Sequence, residues 1–173
     1  SRTSPFEVRH QDYGRLVFGL SPRGISYKVL ELVQLLKESG MPCENTEDVT
    51  KARWQKLVWN APFNPISVLA GGADTKTMLA HEETARLVPL IMQEVCDTAA
   101  ALGHSLPPSV IDQNIEGTKV MFPYKTSMLL DFEAKRPMEV EVILGTAVRA
   151  ARRVGVPVPH METLYALLQL LDR

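Results

Sequence analysis

The chain has 173 residues and a formal net charge of −1, with 45% apolar and 23% charged residues. These proportions are those of an ordinary globular protein, with enough residues for one sizeable hydrophobic core. The balanced charge argues against a nucleic-acid-binding protein, and no apolar run reaches the roughly 18 residues that a membrane-spanning helix needs.

Disulfide frameworks and metal sites are also disfavoured. The two cysteines, Cys43 and Cys96, do not form a CxxC pair, and the four histidines show no spacing typical of metal ligands. We therefore expect no metal and a reducing, cytoplasmic setting. The first residues lack both an initiator Met and the apolar segment of a signal peptide, which suggests a piece of a longer chain.

The N-terminal region holds the segments that are predicted to be strands. Residues 6–10 and 15–19 alternate apolar and polar side chains, and Asp12-Tyr13-Gly14 between them is typical of a turn. The pattern predicts a β-hairpin. Because two strands alone are marginally stable in water, we expect the hairpin to belong to a sheet whose other strands lie upstream.

From Gly24 onward the apolar spacing becomes helical, and capping residues mark the helix ends. The expected N-caps are Asp48, Asp74 and either Thr126 or Ser127. The predicted helices occupy residues 24–40, 48–70, a short segment after Asp74, and residues 82–102, 109–120, 127–133, 139–154 and 160–172. Residues 41–47 are expected to form a loop. The sequence therefore predicts a mainly α protein.

A polar stripe marks the second long predicted helix. Lys56, Asn60 and Asn64 are spaced by four, so they rise along one face of a helix, and apolar residues flank them. Asparagine is a poor helix former because its amide competes for the backbone. Two asparagines beside a lysine suggest a polar lining for a bound molecule. The alternative is a solvated stripe, or asparagines that cap a helix restarting at Pro62 or Pro65.

A second segment, residues 124–131, places polar groups at the start of a helix. Backbone N–H groups there favour an anion, and Ser127 could direct its hydroxyl toward a carboxylate; the alternative is an ordinary helix cap. Glu139 and Glu141 begin the next helix, where acidic residues usually serve the helix dipole. Only one of the two can face inward, and the periodicity leaves open which one.

Taken in order, these residues match a known family. The motifs are Lys56-x-x-x-Asn60-x-x-x-Asn64-Pro65, Lys125-Thr126-Ser127-Met128-x-x-Asp131, Arg136-x-x-Glu139-Val140-Glu141-x-x-x-Gly145 and Gly155-Val156-x-x-Pro159. From about Arg9 to its end, the chain closely resembles the C-terminal domain of the ketopantoate reductase (2-dehydropantoate 2-reductase) family. Four ordered motifs are far more specific than any one alone.

The resemblance implies a fold. The family has a Rossmann NADP-binding domain followed by an all-helical domain, similar to the C-terminal domain of 6-phosphogluconate dehydrogenase. Residues 1–23 would then be trailing strands of a truncated Rossmann domain, and residues 24–173 the helical substrate-binding domain. The chain contains no G-x-G, so the main NADP site is expected upstream and its residues stay unknown.

The resemblance also implies a chemistry, the NADPH-dependent reduction of a 2-oxo acid to pantoate in pantothenate and coenzyme A biosynthesis. Lys56 matches the family's catalytic lysine, and Glu139 matches its active-site glutamate. Asn60, Asn64 and Ser127 match the family's substrate-binding residues, with the serine at the substrate carboxylate.

Two alternatives stay open beside this function. One is a related reductase that acts on another 2-oxo acid, because the sequence does not determine which acid is the substrate. The other is a non-enzymatic helical module in which residues 82–102 and 160–172 form an interface, for instance in a homodimer. In either reductase reading we expect the isolated chain to be inactive, since hydride and proton donor must be held together.

Overall fold

The computed structural model describes residues 2–4, 6–8 and 16–172. The chain divides into two compact units, Ser1–Ala52 and Arg53–Arg173, and each is described by itself. The predicted boundary after residue 23 concerns which segments originate from a Rossmann domain, and it stays a prediction.

In its described residues, the first unit contains two short pairs of strands, one complete helix and the start of a second. Its elements are β1 (Arg2–Ser4), β2 (Glu7–Val8), β3 (Leu16–Phe18), α1 (Tyr27–Glu38) and β4 (Cys43–Asn45). β1 pairs antiparallel with β2, whereas β3 pairs in parallel with β4. Parallel strands need a crossover connection, and α1 provides it.

The pairing of β3 differs from the predicted hairpin. Its partner is β4, from a segment expected to be a loop, and not the strand before it; residues 9–15 of the expected hairpin lie outside the described residues. Alternation identifies a strand but not its partner. Burial favours the parallel partner here, because Cys43 is buried and its thiol donates to the Val33 carbonyl of α1 at 3.3 Å.

The second unit is helical in all of its described regular elements, which confirms the mainly α class. The elements that build it are α2 (Val49–Leu69, which begins in the first unit), α3 (Thr75–Ala80), α4 (Glu82–Ala101), α5 (Val110–Lys119), α6 (Ser127–Glu133), a π turn (Glu141–Gly145), α7 (Thr146–Arg153) and α8 (Pro159–Leu171). Met92, Leu144, Met161 and Leu168 are fully buried in one hydrophobic core. None of the described helices is long and apolar enough to span a bilayer.

The predicted N-caps are confirmed. Asp48, Asp74 and Thr126 each accept a hydrogen bond from the backbone N–H three residues later, at 2.8, 2.8 and 3.2 Å. Such bonds satisfy donors that have no partner within the helix. The backbone N–H bond from Thr77 also lowers the pKa of the Asp74 carboxyl. Thr126, rather than Ser127, is the cap of α6.

The predicted helix over residues 139–154 contains a π turn at Glu141–Gly145. The Thr146 N–H donates to the Glu141 carbonyl, five residues earlier. Gly145 makes room for this turn, because a side-chain carbon there would lie 2.5 Å from Glu141 Oε2 and 3.0 Å from the Tyr165 ring. Gly145 faces Tyr165 on α8, 20 residues later in the sequence. Helical periodicity within residues 139–154 contains no information about this neighbour and did not predict the turn.

Candidate functional site

The polar stripe of α2 runs from solvent into the interior of the second unit. Lys56 is exposed, Asn60 is half-buried, and Asn64 is only 2% exposed. A stripe that only solvated the helix would remain at the surface along its whole length. The gradient therefore favours the interpretation of these residues as a polar lining.

The stripe lies on one continuous helix. Pro62 and Pro65 are inside α2, and both are buried. Each proline removes one backbone hydrogen bond to the carbonyl four residues earlier, and packing in the core offsets that loss. The alternative in which Asn60 or Asn64 caps a helix restarting at a proline is therefore wrong.

The side-chain oxygen of Asn64 has no hydrogen-bond partner. Among the fully buried side-chain N and O atoms of the described residues, Asn64 Oδ1 alone is left in this state. An unpaired buried polar group costs about 1–3 kcal/mol, so such groups call for an explanation. Asn64 Oδ1 is therefore a buried acceptor whose capacity the described residues leave unused.

Lys56 and Glu139 are both exposed. Within the described residues, neither side chain has a hydrogen bond or an ion pair. Both charges are therefore open to a ligand, but no contact between them is present. Ser127 is likewise exposed, at the first position of α6.

The structure brings the second motif next to the first. The Thr126 hydroxyl, beside Ser127, lies 2.7 Å from the Ser67 hydroxyl, which in turn donates to the Asn64 carbonyl at 2.7 Å. Ser67 was not among the predicted site residues, because a serine one turn after an asparagine carries no signal of a partner 59 residues away. Ser67 and Thr126 thus connect the backbone carbonyl of Asn64 to the residue before Ser127.

Glu139 and Glu141 differ in their surroundings, although both are exposed. Glu141 accepts hydrogen bonds from the Tyr165 hydroxyl, from Arg149 at 2.8 Å and from Gln169 at 3.1 Å. Glu139 has no such partners. Neither carboxylate therefore faces the core, as was expected of one of them. Glu141 contacts α7 and α8, whereas Glu139 has no side-chain partner among the described residues.

These contacts shift the pKa values in the cluster formed by Glu141, Arg149, Tyr165 and Gln169. The hydrogen bond from Tyr165, followed by that from Arg149, lowers the pKa of Glu141, and the same bond raises the pKa of Tyr165. A carboxyl with a lowered pKa in the folded state stabilises the fold above its ordinary pKa. That contribution is lost as the pH falls through the lowered value, so the cluster remains intact at neutral pH.

Aromatic packing fixes the side of α2 next to the stripe. The Trp59 indole N–H donates to Thr118 Oγ1 at 2.9 Å. Its ring lies 4.9 Å from the ring of Phe63 and 6.0 Å from that of Tyr124, centre to centre. Since Trp59 precedes Asn60 directly, these contacts set the rotation of α2 about its axis and with it the direction of the stripe.

The cysteines do not supply a second reactive site. Burial, and next the charge of Asp97, raise the pKa of the Cys96 thiol to about 11, so it is neutral at physiological pH. Cys43 is buried. In the part of the chain that the structure describes, no group of three or more His, Cys, Asp or Glu side chains could hold a metal ion.

Comparison with known families identifies the class of protein, the helical C-terminal domain of an oxidoreductase family. Residues 48–172 match the family described as "Ketopantoate reductase PanE/ApbA C terminal". The chain belongs to this ketopantoate reductase family.

Individual relatives agree with this assignment. A 2-dehydropantoate 2-reductase of Nostoc sp. is 36% identical over 95% of this chain and 53% of its own length. The crystal structure of the Methylococcus capsulatus 2-dehydropantoate 2-reductase is 53% identical, with a TM-score of 0.95 over 99% of this chain and 55% of that one. The Geobacter metallireducens enzyme is 34% identical, with a TM-score of 0.91. The chain spans about half the length of the curated relatives it matches.

Proposed function

We propose that this chain is the substrate-binding and catalytic helical domain of an NADPH-dependent reductase that converts 2-dehydropantoate to pantoate, in the biosynthesis of pantothenate and coenzyme A. The α2 stripe carries the proposal: a free ammonium at the surface, an amide at half depth and an unpaired amide oxygen in the interior. Membership of the reductase family supports the reaction class.

Lys56 is proposed as the proton donor. Addition of hydride to a ketone builds negative charge on the ketone oxygen, and a positioned ammonium can stabilise that charge and protonate it. Lys56 is suited to this role because its ammonium is not engaged by any described carboxylate. The cofactor, when bound, supplies the hydride.

Asn60, Asn64 and Ser127 are proposed to hold the substrate. A carboxamide offers both donors and an acceptor, so two of them can bind a hydroxyl and a carboxylate on one small acid. The unpaired Asn64 Oδ1 needs a donor, which the substrate hydroxyl can supply. The exposed Ser127 hydroxyl can donate to the substrate carboxylate.

The residues of this chain do not fit a dinucleotide phosphate site. The glycine-rich turn that lets a backbone approach a pyrophosphate has no counterpart, since the sequence lacks G-x-G. We therefore derive no cofactor contact from this chain and propose that NADP is held mainly by residues that the relatives carry outside the matched half. On this proposal the chain alone does not catalyse the reduction. We also propose a cytoplasmic setting and a homodimer, and light scattering can test the dimer.

The test is NADPH oxidation by the protein that carries this chain together with its cofactor-binding part. We expect turnover with 2-dehydropantoate and a higher kcat/KM for it than for a panel of other 2-oxo acids. One methylene in a pocket wall changes discrimination by only about 1–3 kcal/mol, so the panel must include close homologues. A preference for another acid by orders of magnitude would move the substrate assignment, and no turnover of any 2-oxo acid would overturn the proposal.

Glu139 is proposed to orient the Lys56 ammonium and the reacting oxygen, and a pair of variants separates it from Glu141. Glu139→Gln should lower kcat/KM for 2-dehydropantoate by about 10²-fold, the scale of a positioned acid–base group. Glu141→Gln breaks an exposed ion pair, which contributes little, and should leave kcat/KM within about threefold. Steady-state kinetics of both variants checks this expectation. Equal losses in the two, or a larger loss in Glu141→Gln, would contradict the assignment.

A further inference from the structure

Two buried hydroxyls join the helix of the asparagines to the helix of the serine. Ser67 and Thr126 are both 0% exposed, and their hydroxyl oxygens lie 2.7 Å apart. Ser67 follows Asn64 by one turn of α2, and Thr126 immediately precedes Ser127 on α6. The pair is therefore a direct polar contact between the two motifs that the sequence analysis singled out.

One arrangement of donors satisfies both hydroxyls. In it, the Ser67 hydroxyl donates its single proton to the Asn64 carbonyl at 2.7 Å, and Ser67 Oγ accepts from the Thr126 hydroxyl. The Thr126 hydroxyl then uses its own proton for Ser67 and accepts from the Leu129 N–H at 3.2 Å. Each hydroxyl donates once and accepts once, which satisfies both buried groups.

We propose that Ser67 and Thr126 are positioning residues that set the spacing between Asn64 and Ser127, and thereby the fit of a 2-oxo acid carboxylate and hydroxyl between them. This inference rests on the proposed function, in which Asn64 and Ser127 bind that acid. Ser67 and Thr126 are buried, so they act through their neighbours and not by touching the substrate.

Local roles do not account for the whole arrangement. Thr126 would cap α6 with its bond from Leu129 alone, and Ser67 would satisfy its hydroxyl with the Asn64 carbonyl alone. The bond between the two hydroxyls satisfies the Thr126 proton and at the same time ties α2 to α6, which neither local bond does. Such a link holds two helices in one register, and a displacement of about 1 Å at a site can cost up to about 10²-fold in rate.

The chain offers a matched control for the loss of a buried hydroxyl. Thr98 is also 0% exposed, and its hydroxyl donates to the Glu94 carbonyl one turn earlier at 2.7 Å. Like Ser67, it bonds to a carbonyl of its own helix, but among the described residues it has no link to a second hydroxyl. Thr98→Val therefore removes a buried hydroxyl without touching the contact between α2 and α6.

The experiment compares Thr126→Val, Thr126→Ser and Thr98→Val in the complete NADPH-dependent enzyme, with KM for 2-dehydropantoate, KM for NADPH, kcat and Tm as readouts. Thr126→Val keeps the shape but removes the hydroxyl, and should raise KM for 2-dehydropantoate about 10-fold while KM for NADPH is unchanged. Thr126→Ser keeps the hydroxyl and should restore KM to within about twofold of wild type. Thr98→Val should lower Tm with both KM values unchanged.

Ser67→Ala is the second variant, because it removes the central hydroxyl and leaves the Thr126 cap in place. It should raise KM for 2-dehydropantoate to a similar extent even where Thr126→Val is too unstable to assay. Unchanged KM in an active Ser67→Ala enzyme, or a rise equally large in Thr98→Val, would overturn the inference alone. A wild-type enzyme that reduces none of the 2-oxo acids tested would overturn the proposed function and this inference with it.

Discussion

Replacing Lys56 with alanine should lower kcat/KM for 2-dehydropantoate by about 10²- to 10³-fold, equivalent to about 3–4 kcal/mol of transition-state stabilisation. The ammonium is the group on the stripe that can both stabilise a developing alkoxide and give it a proton. Its removal should act on the reaction and not on the fold, because the side chain is exposed and has no bond to another described residue. The loss should therefore appear mainly in kcat, with little change in Tm.

Lys119→Ala is the matched control for this variant. Lys119 is an exposed helical lysine whose ammonium pairs with Glu116 at 2.7 Å, and an exposed pair of this kind contributes little. We expect kcat/KM of this variant to stay within about twofold of wild type. A wild-type rate for Lys56→Ala, or an equal loss in the two lysine variants, would contradict the role assigned to Lys56.

Sequence patterns predicted the elements whose signals are local. The Asp48, Asp74 and Thr126 caps are each a single side chain bonded three residues ahead, so the residue type and its place before a helical pattern suffice. The stripe on α2 was predictable for the same reason, since spacing by four within one helix fixes a common face.

Features that depend on distant residues were not predictable in this way. β3 pairs with β4 across α1, and alternation in Leu16–Phe18 contains no information about Cys43–Asn45. A side-chain carbon at Gly145 in the π turn would meet both Glu141 and Tyr165, which lie on separate elements. Periodicity could not show that Glu139 and Glu141 are both exposed, nor that Glu141 has partners on α7 and α8.

The same distinction between local signals and distant contacts applies to the candidate site. Residue types identified which side chains can stabilise an alkoxide or hold a carboxylate, but not how deeply each lies or what supports it. The depth of Asn64 and its unpaired oxygen follow from the packing of α2 in the core. Likewise, Ser67 becomes informative only when Thr126 is seen against it. The sequence thus predicted candidate chemistry, whereas the burial and contacts of the candidate residues required the fold.

Replacing Glu94 with alanine should lower the free energy of unfolding by about 3 kcal/mol. Glu94 lies on α4 and is 7% exposed. The residue at the N-cap position of α8, Val158, makes no side-chain cap bond, and Glu94 takes over that role. Its Oε1 accepts from the His160 backbone N–H at 2.9 Å and from His160 Nδ1 at 2.6 Å, and its Oε2 accepts from the Met161 N–H at 2.9 Å.

The size of this effect follows from what the alanine would leave behind. Two backbone donors at the start of α8 would lose their acceptor, and each buried unsatisfied group costs about 1–3 kcal/mol. Glu94→Gln keeps one accepting oxygen but turns an amide N–H toward a remaining donor, so it should cost about half as much. Urea unfolding of the three proteins at neutral pH measures the series, with unchanged m-values as the sign that only stability changed.

Glu116→Ala provides the control, because the Glu116 carboxylate is exposed and its one partner in the described part of the chain is Lys119 at 2.7 Å. This variant should change stability by less than about 0.5 kcal/mol. The buried face of α8 carries Met161 and Leu168 into the core, so the Glu94 cap and this packing anchor the same helix. Loss of the cap should then unfold α8 together with the core rather than fray its first turn. A Glu94→Ala protein as stable as Glu116→Ala would mean that solvent replaces the carboxylate at the start of α8, and that packing alone holds the helix in place.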